Sequence, residues 1–184
     1  LKGPLLLKAL VDSYGGNRDL ALKHFLQAYL ACITFVDDQV GKILDALDET
    51  GLNKNTIVFL TSDHGWHMGE KNHLFKNSPW EESSRIPFIF RIPNSDVKGV
   101  VKHPVSLIDF YPTLIDYCNL KGSTVKGSKG GELGGFSLRP FLENPKVKSW
   151  NGPSAALIVV GNYGKKLNKY QQNYALRTTN YRYI

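Results

Sequence analysis

Apolar side chains recur at steps of three and four residues over residues 18–48, and this pattern constrains the fold more than any other feature of the sequence. The stripe consists of Leu22, Phe25, Leu26, Tyr29, Ile33, Val36, Val40, Ile43, Leu44 and Leu47. Gly51 follows it, and a glycine just past the last apolar position commonly ends a helix. The sequence therefore predicts a long amphipathic helix packed on a core.

A short apolar run rich in β-branched residues follows at residues 56–61. Such a run is typical of a strand buried on both faces in a parallel sheet. Residues 86–92 predict a second strand, with Pro87 at its start, where a missing N–H is tolerated. Helix, short turn and buried strand is the order of an α/β domain.

The composition of the chain changes after Trp150. Residues 155–160 predict an apolar strand, and residues 174–184 mix polar and apolar side chains as a half-exposed antiparallel strand does. Prolines and an Asn-Gly pair over residues 144–153 indicate a boundary. We therefore predict one domain over residues 1–146 and the start of a smaller one over residues 147–184.

Composition narrows the class of protein. With 184 residues, 42% of them hydrophobic, the chain can bury a core. No apolar run approaches the ~18 residues of a membrane helix, and the first residues lack the cleavage site of a signal peptide. Cys32 and Cys118 do not form a disulfide framework, so they leave the compartment open.

The formal net charge of +7 favours anionic partners such as sulfated glycans, although a basic surface also serves solubility alone. A non-catalytic module that binds polyanions would explain this charge. We expect no nucleic-acid partner, because the sequence contains no recognised nucleic-acid-binding motif.

Titratable side chains concentrate in the segment that leaves the first predicted strand. Asp63 offers a hard oxygen to a divalent cation, and His64 offers a nitrogen or a hydrogen bond. Lys76 would present a compact positive charge to an anion. The alternative is a polar loop in which Asp63 only caps the turn. The C-terminal edge of a strand in an α/β sheet favours a ligand site.

Several segments, spread along most of the chain, resemble a known family. The most specific is Ser62-Asp63-His64-Gly65-Trp66-His67-Met68-Gly69-Glu70, and the others lie at residues 35–41, 55–58, 76, 80–87, 105–113, 138–142 and 175–178. In this order they are similar to the C-terminal part of type I, formylglycine-dependent sulfatases, above all iduronate-2-sulfatase-like and bacterial glycan sulfatases. Ordered motifs are far more specific than one Asp-His pair.

The resemblance implies part of an alkaline-phosphatase-like mixed sheet flanked by helices, followed by the start of a smaller antiparallel subdomain. It implies that Asp63 and His64 bind a catalytic Ca²⁺, with Mg²⁺ or Mn²⁺ as alternatives. Lys76 would contact the sulfate, and His67 and His73 are further catalytic candidates. The implied substrate is a sulfated carbohydrate, and the implied location is periplasmic, extracellular or lysosomal.

The chain departs from the family at the nucleophile. The formylglycine arises from Cys or Ser in a Cys/Ser-x-Pro/Ala-x-Arg motif, and the residues after Cys32 and Cys118 do not fit it. We therefore expect this chain alone to be inactive, to bind Ca²⁺ weakly and to need the N-terminal part of the same enzyme. A phosphonate monoester hydrolase or phosphodiesterase of the same superfamily remains an alternative.

Overall fold

The computed structural model describes residues 2–122, 125, 127, 130–161 and 172–184. The chain forms two compact units, Leu1–Ser95 and Asp96–Ile184. The first contains helices α1 (Lys2–Asp12), α2 (Arg18–Glu49) and α3 (Glu81–Ser84), with strands β1 (Val58–Thr61), β2 (His67–Met68), β3 (Leu74–Phe75) and β4 (Phe88–Arg91). The second contains α4 (Phe110–Tyr117), α5 (Arg139–Glu143), β5 (Ala156–Val160), β6 (Asn173–Arg177) and β7 (Arg182–Tyr183).

Helix α2 forms at the predicted position. Its N-cap is Asn17, whose side-chain oxygen accepts the N–H of Leu20 at 3.1 Å. Half of the ten stripe residues are nevertheless exposed and the other half are only partly buried, and Ala21 is the buried residue among those described in this helix. The periodic pattern marks a face that can be buried, but it does not encode which element covers that face.

Strand β1 pairs with β4 in antiparallel register, with Phe59 opposite Phe90 and Thr61 opposite Phe88. The prediction of a parallel strand with two buried faces at residues 56–61 is therefore wrong within the described residues, where this strand pairs antiparallel and Leu60 is 39% exposed. The direction of β4 depends on how the chain returns over residues 62–87. An apolar pattern carries no information about that return.

Strands β2 and β3 form a short antiparallel hairpin, in which His67 pairs with Phe75 and Met68 with Leu74. Helix α1 packs against β3. At the turn of the hairpin, the guanidinium of Arg18 donates to the carbonyl of Gly69 at 3.0 Å. Helices α1 and α2 thus hold the hairpin that leads to Lys76.

The second unit is built around Asp109, which is only 3% exposed. Its carboxylate accepts the N–H of Ser106 at 2.8 Å and that of Phe136 at 2.9 Å, and so ties the start of α4 to the segment before α5. Strands β5, β6 and β7 form an antiparallel sheet in that order. The predicted final strand is thus divided into β6 and β7.

The predicted domain boundary at residues 146–147 stays a prediction. The division between the two compact units falls elsewhere in the sequence, between residues 95 and 96. No helix in the described part of the chain combines the length and apolar character needed to cross a membrane.

Candidate functional site

A turn at the end of β1 presents Asp63 and His64. The carboxylate oxygen Oδ2 of Asp63 lies 3.4 Å from Nε2 of His64. The side chain of Asp63 is 82% exposed and that of His64 is 31% exposed. The two side chains therefore point to the same accessible region instead of alternating between faces, as they would in a regular strand.

Lys76 joins this pair from the end of the β2–β3 hairpin. Its Nζ lies 2.6 Å from Nε2 of His64, and Nδ1 of His64 lies 2.9 Å from the carbonyl oxygen of Gly65. A lysine ammonium can only donate, so Nε2 accepts and Nδ1–H donates to the carbonyl. The contacts thus assign a neutral imidazole with its proton on Nδ1 and an ammonium against its Nε2 lone pair.

Gly65 lets the turn approach α3 closely. Its N–H donates to the carbonyl of Ser83 at 2.8 Å. A Cβ at this position would lie 2.1 Å from the backbone oxygen of Glu82, closer than real Cβ contacts come. The position of His64 thus depends on a side-chain-free neighbour that packs on the backbone of α3.

Phe75, directly before Lys76, carries backbone strain. Its φ angle is 135°, which is rare for a residue with a bulky side chain. Such a conformation costs about 1–3 kcal/mol and persists only when its surroundings hold it. Here its ring packs edge-on to Trp66, with centroids 5.2 Å apart, and its backbone pairs with His67.

His67 and His73 are buried beside each other, with 0% and 8% exposure and ring centroids 4.7 Å apart. The ring of His73 rests on Gly3, where an added Cβ would lie 2.0 Å away. Burial is the largest cause that holds the pKa of His73 below its ordinary value, and the neighbouring His67 acts in the same direction. The catalytic roles predicted for these two histidines stay predictions, because neither ring contacts Asp63, His64 or Lys76 in the described contacts.

Sequence reasoning missed Ser78 and Ser83. Nε2 of His67 lies 2.6 Å from the hydroxyl of Ser78, and Ser78 donates to the hydroxyl of Ser83 at 2.9 Å. Both serines are 5% exposed. A serine eleven residues after a histidine carries no periodic signal, so only the folded hairpin reveals this contact.

The side chains of the Asp63–His64 turn are of types that bind a divalent cation, but two ligands are too few to complete a site. The carboxylate oxygen of Asp63 and Nε2 of His64 lie 3.4 Å apart, so both could reach one ion. In the described residues, no group of three or more His, Cys, Asp or Glu side chains is placed to hold a metal. Ca²⁺ takes six or more ligands, mainly oxygens, so this turn offers part of a site. The imidazole donor also suits Mn²⁺.

A profile of the sulfatase family matches residues 8–120. A sulfatase of Formosa agariphila is 33% identical over 162 residues, which cover 88% of this chain and 28% of that protein. The chain thus spans under a third of the length of this curated relative.

Two solved structures are similar to the chain. One is a protein in complex with its substrate D-glucosamine-2-N,6-O-disulfate, with 27% identity, a TM-score of 0.67 and coverage of 94% of this chain and 35% of that one. The other is a phosphonate monoester hydrolase from Silicibacter pomeroyi, with 24% identity, a TM-score of 0.71 and coverage of 86% and 32%. These matches show the predicted α/β, alkaline-phosphatase-like fold.

Proposed function

The chain belongs to the sulfatase family, and from that premise we propose that it supplies part of the site of a sulfuric-ester hydrolase that holds a divalent cation and a sulfate group. The observation that carries the proposal is the meeting of three side chains at the end of β1. Nε2 of His64 lies 3.4 Å from a carboxylate oxygen of Asp63 and 2.6 Å from the ammonium nitrogen of Lys76. In the proposed role, Asp63 and His64 bind the cation and Lys76 binds the anion.

The contact between His64 and Lys76 couples these two roles. The neutral imidazole has one lone pair, on Nε2, and Lys76 donates into it. His64 cannot serve the cation and Lys76 through the same lone pair. If His64 held the cation through Nε2, Lys76 would turn away, and its ammonium would be available to the oxygens of a sulfate ester.

Lys76 then offsets negative charge that develops on the sulfate and the leaving oxygen during S–O cleavage. Its ammonium is also placed to give a proton to the departing alcohol. A bound cation would supply Lewis-acid polarisation of the sulfate oxygens. Asp63 and His64 would hold that cation, and the remaining ligands would come from the proposed N-terminal part of the enzyme.

The rest of the active enzyme is proposed by family membership. It includes a formylglycine nucleophile and an N-terminal part of the same enzyme. The proposed substrate is a sulfated carbohydrate, which is supported by the disulfated glucosamine in a similar structure and by the formal charge of +7. The proposed compartment is periplasmic, extracellular or lysosomal.

The test is Lys76→Ala in the full-length enzyme, measured as sulfate release at saturating substrate. We expect kcat to fall by about 10²–10³-fold, the usual effect of removing one donor to a developing anion. Lys42→Ala is the matched control, because Lys42 is an exposed lysine that pairs with Asp38 on α2. Wild-type kcat in Lys76→Ala would remove Lys76 from the mechanism.

Calorimetry on this chain tests the metal assignment. We expect weak Ca²⁺ binding that Asp63→Asn abolishes. Sub-micromolar binding would contradict the proposal that the chain holds only part of the ligand set.

Parallel assays with a sulfate ester, a phosphonate monoester and a phosphate diester separate the sulfatase from the alternative within the superfamily. We expect the sulfate ester to be turned over fastest. A module that only binds polyanions would instead show affinity that falls steeply with salt and does not depend on metal.

A further inference from the structure

The hydroxyl of Ser78 makes every hydrogen bond that a serine hydroxyl can make. It donates to Ser83 at 2.9 Å and accepts the N–H of Trp80 at 3.3 Å. Its second lone pair faces Nε2 of His67 at 2.6 Å. A hydroxyl has one proton and two lone pairs, so with its proton directed to Ser83, Ser78 accepts an N–H from Nε2 of His67.

This arrangement assigns the Nε2–H tautomer to a fully buried ring. His67 is 0% exposed, and its Nδ1 has no hydrogen-bond partner among the described residues. The nearest carboxylate oxygen, Oε2 of Glu70, lies 4.0 Å away and instead accepts the N–H of Met68 at 2.6 Å. A neutral ring with its proton on Nε2 donates the hydrogen bond that Ser78 accepts, and it leaves only the lone pair of Nδ1 without a partner.

The hydrogen bond from the His67 ring to Ser78 helps to hold the backbone of Lys76, the residue that carries the ammonium group. Phe75, before Lys76, pairs with the backbone of His67. Ser78, two residues after Lys76, accepts from the side chain of His67 and donates its own N–H to the carbonyl of Lys76 at 2.8 Å. His67 therefore fixes the backbone of Lys76 from both sides.

The strain at Phe75 is an independent reason to regard this arrangement as functional. A φ angle of 135° at a phenylalanine needs surrounding contacts that hold it in place. The His67–Ser78 bond is one such contact, and it lies on the far side of Lys76 from the strained residue. Without the bond, Phe75 and Lys76 can relax together, and the backbone that carries the ammonium shifts relative to the Asp63–His64 turn.

We propose that His67 is a positioning residue that acts through Ser78 to fix Lys76 beside the Asp63–His64 turn. The proposal rests on the sulfate-binding role proposed for Lys76. It replaces a direct catalytic contact for His67, whose buried ring reaches the site through Ser78 among the residues that the structure describes. A displacement of about 1 Å in a positioned group can lower a rate about 10²-fold, so a buried hydrogen bond can affect catalysis without a contact to substrate.

The experiment uses the full-length enzyme with His67→Phe, Ser78→Ala and the double variant, and it measures kcat and KM separately. We expect kcat to fall about 10- to 100-fold in each single variant, with KM changed by less than about threefold. The double variant should be no worse than the poorer single variant, because both changes break one linkage. His67→Gln, which retains an N–H donor near the position of Nε2, should recover most of kcat.

Thr113→Val is the matched control for general damage to folding. Thr113 is 1% exposed and also makes buried side-chain hydrogen bonds, to Asp109 and Leu138, but it lies in the second unit. We expect it to lower the melting temperature while kcat stays at the wild-type value. Comparing kcat of Thr113→Val with that of the His67 and Ser78 variants at equal loss of stability separates an effect on the position of Lys76 from an effect of unfolding.

Lys76→Ala, measured in parallel, keeps the two proposals distinct. If Lys76→Ala is inactive while Ser78→Ala retains wild-type kcat, the positioning proposal is overturned and the proposed function stands. If Lys76→Ala retains wild-type kcat, the proposed function is refuted, because its sulfate-binding residue is then not needed. Additive losses in the double variant, or no recovery in His67→Gln, would also refute action through Ser78.

Discussion

The glycine after His64 offers a sharp test of how the turn is held, through Gly65→Ala. The added Cβ would lie 2.1 Å from the backbone oxygen of Glu82, whereas real Cβ contacts essentially never fall under 3.0 Å. The turn and α3 must therefore separate by about 0.9 Å. Because the obstacle is backbone, no side-chain rotation can relieve the contact.

The magnitude follows from two costs. Overpacking of this kind destabilises a protein by about 1–3 kcal/mol. The same separation would stretch the bond from Gly65 N–H to the carbonyl of Ser83 from 2.8 Å to about 3.7 Å, past hydrogen-bond range. A lost hydrogen bond costs a further ~0.5–1.5 kcal/mol, so we expect Gly65→Ala to cost about 1.5–4.5 kcal/mol.

Gly41→Ala is the matched control, because a Cβ at Gly41 meets no atom within 4 Å and the residue lies inside α2. Alanine in a helix is more favourable than glycine by about 0.5–1 kcal/mol, so this variant should be stabilised. Native-state hydrogen exchange over residues 58–91 measures the opening free energy next to the turn. Equal protection in the two variants would refute the argument that α3 and the turn are in backbone contact.

Two further predictions concern the stability of the first unit. Since the pKa of His73 is lowered in the folded state, the unfolded chain binds more protons than the folded chain below about pH 6.5. The free energy of unfolding should therefore be highest above that pH and fall as the pH drops towards the folded pKa, by at most about 1.4 kcal/mol per pH unit. Urea titrations should show that His73→Phe flattens this slope. Asn17→Ala removes the cap that accepts the N–H of Leu20 and should destabilise α2 by about 1 kcal/mol. Hydrogen exchange of the first-turn amides measures this loss. Asp19→Asn, at a neighbouring residue that makes no cap bond, is the control, and equal exchange in the two variants would contradict the role of Asn17.

Short-range features of the fold could be predicted from sequence because they depend on neighbouring residues. Helix α2 begins at Arg18 as its apolar periodicity predicts, and β4 follows Pro87. The pairing direction of β1 could not be predicted, since it depends on the path of the chain over residues 62–87. The burial of the α2 stripe was likewise not determined by periodicity, because a pattern does not specify the element that covers it.

The sequence by itself determined the kinds of chemical group in the candidate site, and the order of motifs determined the family. It placed Asp63 and His64 on one turn because they are adjacent and follow a strand. Only the tertiary structure decided that Lys76 meets His64 at 2.6 Å and that His67 lies against Ser78 instead of in the open. Both contacts join residues eleven or twelve positions apart across the hairpin, and their geometry depends on backbone conformations such as that of Phe75, which its residue type disfavours.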